Sequence, residues 1–265
     1  MTEIIQENKN KLSILVLSCD KYADLWSQFF ECFFKFWPDC EYPVYLGANL
    51  TALEDKKVKI ILSGEDKDWS SSLRKIINQI DSDYIFITLE DLFLIKKVDS
   101  EMFRKYFNIL IKNKFNHCHV NPSQKIDSMI EEGVGILGKG RPYRVNVLGL
   151  WRKDYLLKML IDGENPWNFE IMGSYRSSYD DGFYSLQNNI FETINMVEKG
   201  KWCPDKLKIL RKNGIKIDSS KRKVISGTYL LRSKLQIIIV KLINSIPWKK
   251  RVKLMNVLRK ILFSY

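Results

Sequence analysis

The feature that most constrains this chain is the stretch Tyr84–Leu94, in which an apolar run ends in two adjacent acids. The residues up to Leu89 are mainly β-branched or aromatic, as in a strand that helices cover on both faces. Glu90 and Asp91 follow directly, and burying two acids there is costly unless a positive group binds them. Ligands of open α/β sheets lie beyond the carboxyl ends of the strands. The pair is therefore predicted to hold a divalent metal or a sugar diphosphate, and a turn with two solvated acids is the alternative.

Other short apolar runs predict the rest of a sheet and its helices. Strands are expected over residues 12–17, 42–47 and 58–62. Apolar side chains at a spacing of three and four predict helices over residues 22–37, 69–80 and 100–112. Pro38 ends the first of these helices, and serines begin the second. Strands that alternate with helices in this way are typical of a parallel α/β sheet.

The following part of the chain contains more turns. Its predicted regular elements are short strands near residues 118–120 and 144–148, a helix over 154–160 and an edge strand over 194–199. Residues 163–170 and 179–182 are predicted to be loops that carry acidic and aromatic side chains. Loops of this kind on a rigid scaffold are common places for binding and chemistry.

Composition excludes several classes of protein. The 265 residues, 45% of them apolar, suffice for one large α/β domain with an appendage or for two small domains. Five cysteines without a Cys-x-x-Cys pair indicate neither a disulfide framework nor a zinc site, and two histidines exclude a histidine-rich metal site. The amino-terminal residues lack the apolar core of a signal peptide, and no apolar run approaches the roughly 18 to 20 residues that span a bilayer. A cytoplasmic protein is expected.

The net charge of +12 is concentrated at the carboxyl terminus. From Lys206 onward the chain has 17 Lys and Arg against one acid, Asp218, so this part carries +16 and the first 205 residues carry −4. Residues 1–205 are therefore predicted to form an acidic globular body. Residues 206–265 are predicted to form a basic helical region that faces a polyanion.

Two basic amphipathic helices are predicted in that region, over residues 229–246 and 249–263, with Pro247 between them. Their aliphatic stripes and one-signed charge are typical of helices that lie in the interface of an anionic membrane. A helical hairpin packed on the globular body is one alternative. Nucleic-acid binding is another, but the long aliphatic stripe suits lipid better than a phosphate backbone.

Five segments, in matching order, resemble bacterial glycosyltransferases of the GT-A type, which assemble capsule, O-antigen or exopolysaccharide repeat units. They are Ser-Cys-Asp-Lys-Tyr-Ala-Asp-Leu-Trp (18–26), Phe-Trp-Pro-Asp-Cys (36–40), Tyr-Pro-Val-Tyr-Leu (42–46), Leu-Glu-Asp-Leu-Phe (89–93) and Asn-Pro-Trp-Asn-Phe-Glu (165–170). The resemblance covers roughly residues 11–200. It implies a Rossmann-like GT-A domain, a mixed sheet flanked by helices, that uses a nucleotide-sugar donor.

The resemblance gives Glu90 and Asp91 the role of the family's acidic metal motif, which bridges Mn²⁺ or Mg²⁺ to the donor diphosphate. Carboxylate oxygens suit hard cations, and such a cation neutralises the charge that develops on the leaving nucleoside diphosphate. The sequence departs from the family's usual Asp-x-Asp because its two acids are adjacent and Leu92 follows them. An alternative is that one acid contacts the ribose.

The resemblance also assigns a nucleotide pocket and an acceptor site. Ser18 and Asp20 would contact the base or ribose of the donor, and Arg74 would contact a phosphate. Trp167 and Trp151 would contact the acceptor. Trp167 offers an apolar face for a sugar ring, and core packing is the alternative for this side chain.

A carboxylate base is expected if the transfer inverts the anomeric centre, because the acceptor hydroxyl must lose its proton as it attacks. Glu170 is the first candidate for this base. Asp181 and its neighbour Asp180 are the competing candidates. A retaining enzyme would need no such base.

The expected activity is transfer of a sugar from a nucleotide-sugar donor to a lipid-linked saccharide, at the inner face of the plasma membrane and without nucleic acid. One alternative is a nucleotidyltransferase on a similar sheet, but its phosphate loop would be glycine-rich, unlike residues 18–21. Another is a non-catalytic protein on a nucleotide-binding α/β fold that binds membranes or nucleic acids.

Overall fold

A mixed sheet of nine strands organises the molecule, of which a computed structural model describes residues 11–122 and 124–225. The described residues form thirteen strands, nine in the large sheet and four in two small sheets: β1 (Leu12–Leu17), β2 (Val44–Ala48), β3 (Val58–Leu62), β4 (Tyr84–Leu89), β5 (Leu92–Leu94), β6 (His117–His119), β7 (Ser128–Glu131), β8 (Val134–Ile136), β9 (Gly149–Arg152), β10 (Phe183–Leu186), β11 (Thr193–Asn195), β12 (Val197–Glu198) and β13 (Lys201–Trp202). The order in the large sheet is β3-β2-β1-β4-β9-β6-β10-β8-β7.

One half of the large sheet is parallel and the other half is mixed. Strands β3, β2, β1 and β4 run parallel, with Leu17 of β1 beside Leu89 of β4 at their carboxyl ends. Strand β9 is antiparallel to β4 and β6, β10 is parallel to β6, and β8 is antiparallel to both β10 and β7. The predicted mixed α/β sheet is therefore confirmed, and the carboxyl ends of four strands meet at one edge.

Helices cover the sheet. They are α1 (Ala23–Phe36), α2 (Trp69–Asn78), α3 (Ser100–Lys112), α4 (Lys153–Met159), α5 (Pro166–Arg176) and α6 (Pro204–Lys212). Every residue of β1 is buried, as expected for a strand with helices on both faces. A cluster of aromatic side chains lies between α1, α3 and the sheet, and Trp37, Phe103 and Phe191 contact one another within it.

The predicted strand at residues 144–148 is wrong. The chain there is irregular, and its amides bond to side chains: Val147 N–H donates to Glu170 (3.1 Å) and Leu148 N–H donates to Asn146 (2.9 Å). The strand begins one residue later, at Gly149, which has a φ of 116°. A Cβ at this position would lie 2.4 Å from the Cys118 carbonyl oxygen, so only glycine allows β9 to approach β6 here.

The predicted loop over residues 163–170 is only partly correct, because helix α5 begins at Pro166. The side chain of Asn165 caps this helix by accepting a hydrogen bond from the Asn168 amide (2.8 Å). An asparagine N-cap followed by proline at the first helical position is a known start signal. The predicted edge strand over 194–199 is also replaced by β11 and β12, which pair in small separate sheets.

Three polar side chains are buried beside β6 and β10. The Arg144 guanidinium donates to the carbonyl oxygens of Leu137, Ser177 and Asp180 and lies 4.0 Å from the centre of the Phe183 ring. His119 donates from Nε2 to the Arg144 carbonyl oxygen (3.0 Å). His117 lies 4.8 Å from His119, measured between ring centres. Burial lowers the pKa of both histidines, so both rings are neutral in the folded protein.

The chain divides into two compact units. The first comprises Met1–Met196 and Asp205–Asp218, and the second comprises Val197–Pro204 and Ser219–Tyr265. In the second unit the structure describes the β12–β13 hairpin and a short segment in which Ile225 N–H donates to the Trp202 carbonyl oxygen (2.9 Å). The helices predicted over residues 229–246 and 249–263 lie outside the described residues, and the boundary at residue 205 stays a prediction.

None of the helices in the described part of the chain is both long enough and apolar enough to cross a bilayer.

The buried histidine pair predicts a stability that falls below neutral pH. Because the folded-state pKa of each ring is depressed, the unfolded chain binds more protons as the pH drops through about 6.5, and each histidine adds a positive slope with a limit of about 1.4 kcal/mol per pH unit, reached where its ring is protonated in the unfolded chain and neutral in the folded protein. Urea unfolding between pH 7.5 and 5.5 measures this slope. His119→Gln keeps a donor near the Arg144 carbonyl oxygen and should remove the part of the pH slope that the His119 ring contributes. An unchanged slope in the variant would contradict this origin.

Candidate functional site

A cleft of about 370 Å³ lies at the edge where the parallel strands end. Its walls come from the residues after β1, β2, β3 and β4, from the start of α2 and from the start of α5. Two acids, Glu90 and Asp91, line it together with Ser18 and the indole of Trp167. The structure thus brings four of the predicted site residues into one cavity, as expected for strands whose carboxyl ends share an edge.

Glu90 and Asp91 occupy the tight connection between β4 and β5. Glu90 is only 6% exposed. The Asp91 carbonyl oxygen accepts a hydrogen bond from the Met196 amide (2.8 Å), and the adjoining β5 pairs with β11. Burial raises the pKa of the nearby Cys19 thiol, and the negative charge of Glu90 raises it further. These contacts fix a concentration of negative charge in the cleft.

Ser18 follows β1 directly and is oriented by helix α1. Its Oγ accepts a hydrogen bond from Nε1 of the buried Trp26 (2.7 Å). The Ser18 amide donates to the Gly47 carbonyl oxygen at the end of β2 (2.9 Å). Ser18 is therefore held by α1 and β2 at the position where it is predicted to contact the nucleotide-sugar donor.

Asp20 positions the loop after β2, which contributes to the cleft. Its carboxylate accepts hydrogen bonds from the amides of Asn49 (3.2 Å), Leu50 (3.1 Å) and Thr51 (3.1 Å) in the loop after β2. Partial burial acts to raise the pKa of Asp20, but these amide hydrogen bonds outweigh it and hold the pKa below its ordinary value. Asp20 does not line the cleft, whereas Asn49, which it positions, does.

The cleft is also lined by three residues that were not predicted, Asp66, Trp69 and Asn49. They follow β3 and β2, so the rule that pointed to Glu90 would have found them if applied to every parallel strand. Asp66 is exposed and accepts a hydrogen bond from Ser72 Oγ (2.7 Å). It adds a third carboxylate to the cavity.

Trp167 lies in the first turn of α5, and 71% of its surface is exposed. The helix is held by Phe169, which is fully buried and packs between Trp69 and Trp151, with ring centres 5.3 and 5.9 Å away. The indole of Trp167 is therefore presented to the cleft by a helix anchored in the core.

Glu170 lies one turn further along α5 and is half-buried. One carboxylate oxygen accepts the hydrogen bond from the Val147 amide (3.1 Å). Burial raises the pKa of Glu170, although this hydrogen bond acts in the opposite direction. Glu170 is not among the residues that line the cleft, so its predicted role as a base stays a prediction.

Three other predicted residues lie elsewhere. The guanidinium of Arg74 donates to the carbonyl oxygens of Leu157 (3.1 Å) and Leu160 (2.6 Å), at the end of α4, and not into the cleft. Trp151 is fully buried, with Nε1 donating to Val147, so no acceptor can reach it. Asp181 has a 90% exposed side chain that pairs with Lys139 (3.0 Å).

The chemistry of the cleft partly fits a divalent cation. Groups of three or more His, Cys, Asp or Glu side chains arranged to hold a metal ion are absent from the described residues. Mg²⁺ is, however, commonly bound by one or two carboxylates, with substrate phosphates and water completing its coordination. The adjacent Glu90 and Asp91, one of them buried, fit a cation held in that way.

No known family model matches the chain, and no curated protein matches it significantly. Similar solved structures include a cytidylyltransferase from Leptospira borgpetersenii, with 13% identity over 82% of this chain and 99% of that chain and a TM-score of 0.46. A putative nucleotide-diphospho-sugar transferase from Desulfovibrio desulfuricans G20 has 14% identity over 88% of this chain and 98% of that chain, with a TM-score of 0.43.

TarS from S. aureus in complex with UDP-GlcNAc has 11% identity over 76% of this chain and 65% of that chain, with a TM-score of 0.43. A further TarS structure is covered over 37% of its length. At identities and TM-scores this low, none of these similarities assigns a family or a function to the chain.

The depressed pKa of Asp20 predicts how Asp20→Asn changes stability with pH. The carboxylate contributes stability above its unfolded-state pKa, and the contribution is lost as the pH falls through its lower folded-state pKa. The variant should therefore have a lower Tm than the wild type at pH 7, and the difference should shrink toward pH 3. Thermal unfolding followed by circular dichroism measures this. The exposed Asp81→Asn is the matched control, and an equal Tm loss in both variants would contradict the prediction.

Proposed function

We propose that this protein is a glycosyltransferase that moves a sugar from a nucleotide-sugar donor to a saccharide acceptor. The observation that carries the proposal is the cleft at the carboxyl ends of β1–β4, with the buried Glu90 and adjacent Asp91 on one wall and the exposed indole of Trp167 on another. A nucleoside diphosphate needs charge neutralisation, and a sugar ring needs an apolar face beside polar groups. The two acids would hold a cation that neutralises the diphosphate, and the Trp167 indole offers the apolar face.

The donor diphosphate would lie beside the two acids. A divalent cation, Mg²⁺ or Mn²⁺, held by Glu90 and Asp91 would neutralise the negative charge that develops on the leaving nucleoside diphosphate. Ser18 and the loop positioned by Asp20 would contact the base or ribose. Helices α2 and α5 both begin at the cleft, through Trp69 and Pro166, and the positive ends of their dipoles favour a phosphate there.

The transfer itself needs a proton acceptor if it inverts the anomeric centre. The acceptor oxygen attacks the anomeric carbon, the bond to the diphosphate breaks, and the hydroxyl proton passes to a carboxylate. Glu170 is the stronger candidate for this base because it lies one turn from Trp167 and because burial raises its pKa toward neutrality. Asp181 is the weaker candidate, since its exposed carboxylate pairs with Lys139.

The proposed setting is surface polysaccharide biosynthesis at the inner face of the plasma membrane. The support is the charge of +16 from residue 206 onward, which suits an anionic membrane, together with the resemblance described above. A lipid-linked oligosaccharide is the proposed acceptor for the same reason, because it would lie at that surface.

Nucleotide binding tests the cleft directly. Thermal shift assays with UDP, GDP, CDP and dTDP, each with and without Mn²⁺, should raise the Tm for at least one nucleotide. Glu90→Gln combined with Asp91→Asn should abolish the Mn²⁺-dependent part of the shift. Glu101→Gln, an exposed acid in α3, is the matched control. If no nucleotide raises the Tm, or if the double variant retains the full shift, the proposed donor site is wrong.

Glu170→Gln separates the charge of this residue from its structural contact. The amide oxygen of glutamine can still accept the Val147 N–H, so the Tm should change little, whereas loss of a proton acceptor should lower kcat by about 10²- to 10⁴-fold. Radiolabelled sugar transfer measures kcat, and Glu101→Gln, at an exposed acid outside the cleft, serves as the control with near-normal turnover. Near-normal turnover in Glu170→Gln would exclude Glu170 as the base.

A further inference from the structure

A second cavity, of about 330 Å³, lies between the loop of residues 138–143 and one face of α5. We refer to it as the α5 groove. It shares no lining residue with the cleft, but the same helix contributes to both, with Trp167 in the cleft and Ile171 and Tyr175 in the groove. None of its lining residues was given a role in the function proposed above.

Two large aromatic side chains and one aliphatic side chain are exposed on the walls of the α5 groove. Tyr143 is 52% exposed, Tyr175 is 73% exposed, and Ile171, which also lines the groove, is 45% exposed. Neither tyrosine hydroxyl has a hydrogen-bond partner among the described residues. Large apolar side chains gathered on one exposed surface are a common sign of a binding site.

The loop that carries Tyr143 is tied down on both sides. The Arg141 guanidinium pairs with Asp127 and donates to the Lys125 carbonyl oxygen, and the Gly140 amide donates to Ser178 Oγ (3.2 Å). Tyr143 itself has a φ of 53°, a conformation that is strained for a bulky side chain. Strain of this kind persists where the surrounding contacts impose it, and it is concentrated at binding sites.

The opposite wall, helix α5, is also held by hydrogen bonds. Arg176, at the end of α5, makes two hydrogen bonds to the carboxylate of Glu164, which lies just before the helix (2.8 and 2.9 Å). Ser174 Oγ, on the floor of the groove, accepts from the Val145 amide (3.0 Å). The segments that carry the two aromatic rings are thus tied down by hydrogen bonds before any ligand binds, which lowers the entropy that binding would cost.

We propose that the α5 groove binds a neutral saccharide, the part of the acceptor that lies furthest from the donor; the assignment to the acceptor rests on the proposed function. A sugar ring has apolar C–H faces and hydroxyl edges, which match tyrosine rings whose hydroxyls are available. Among the lining residues Arg141 supplies the positive charge, and Asp127 neutralises it. A phosphate or an anionic lipid surface would need cations that are not already paired.

The position of the groove along α5 indicates the length of the ligand. Eight residues separate Trp167 from Tyr175, which corresponds to about 12 Å at the rise of an α-helix. A ligand that reaches from the cleft to the groove is therefore longer than one monosaccharide. The acceptor is an oligosaccharide that lies along the helix.

Glycan binding by the full chain, measured without nucleotide, tests the groove. The probe is an immobilised panel of neutral and N-acetylated di- to hexasaccharides. Tyr143→Gly combined with Tyr175→Ala removes both rings, and glycine also relieves the positive φ, so the Tm should not fall. The expected result is at least a tenfold loss of retention by this variant. Tyr179→Ala is the matched control, because Tyr179 is 89% exposed, adjacent in sequence and outside the groove lining.

The proposal is overturned if the wild type retains no glycan or if the double variant retains it fully. It is also overturned if the groove substitutions instead abolish binding to phosphatidylglycerol–phosphatidylethanolamine vesicles, or if they abolish self-association in sedimentation. The nucleotide thermal shift is measured separately on the same variants. Glycan retention with no nucleotide shift would refute the proposed transferase function but not the saccharide site in the groove. A normal nucleotide shift with no glycan retention would remove the groove alone.

Discussion

The site depends on a carboxylate that is kept buried at the end of a central strand. Glu90 follows β4, whose four central residues are buried, and pairing of β4 with β1 and of β5 with β11 fixes the turn in which it lies. An ionised group in such a place is costly for folding. Burial and, in addition, the negative charge of Glu90 raise the pKa of the Cys19 thiol after β1, so the ends of β1 and β4 share one electrostatic environment. The cleft is therefore predisposed to a cation and to whatever anion accompanies it.

Local pattern was sufficient for the parallel half of the sheet. Strands β1, β3 and β4 and helix α3 agree with the sequence analysis to the residue, because continuous apolar runs and helical spacing depend on near neighbours alone. In the mixed half, the short strand predicted near residues 118–120 is present as β6, whereas β7, β8 and β10, which have three or four residues and are defined by distant partners, were missed. Strand β9 begins where the Cys118 carbonyl oxygen admits only glycine, and no local pattern reveals that contact.

The site was predictable to a similar extent. The strand-end rule located Glu90 and Asp91, and the family resemblance pointed to Ser18, whereas the ends of β2 and β3 were not considered. Arg74 shows what helix geometry adds: Ser72 lines the cleft, and two residues along a helix is a rotation of about 200°. Arg74 therefore points to the opposite side, toward α4, and a helical projection of α2 would have excluded the phosphate contact.

Helix α5 links the features that the site requires. Its amino terminus lies at the cleft with Trp167, its middle holds Glu170 against the Val147 amide, and its last turns form a wall of the groove. The acids and the helix start have fields of opposite sign within one cavity, a combination that suits a cation bound to a diphosphate better than either ion alone. Because Phe169 anchors this helix in the core, its end at the cleft and its end at the groove cannot move independently, and the spacing between the two cavities is set by the fold.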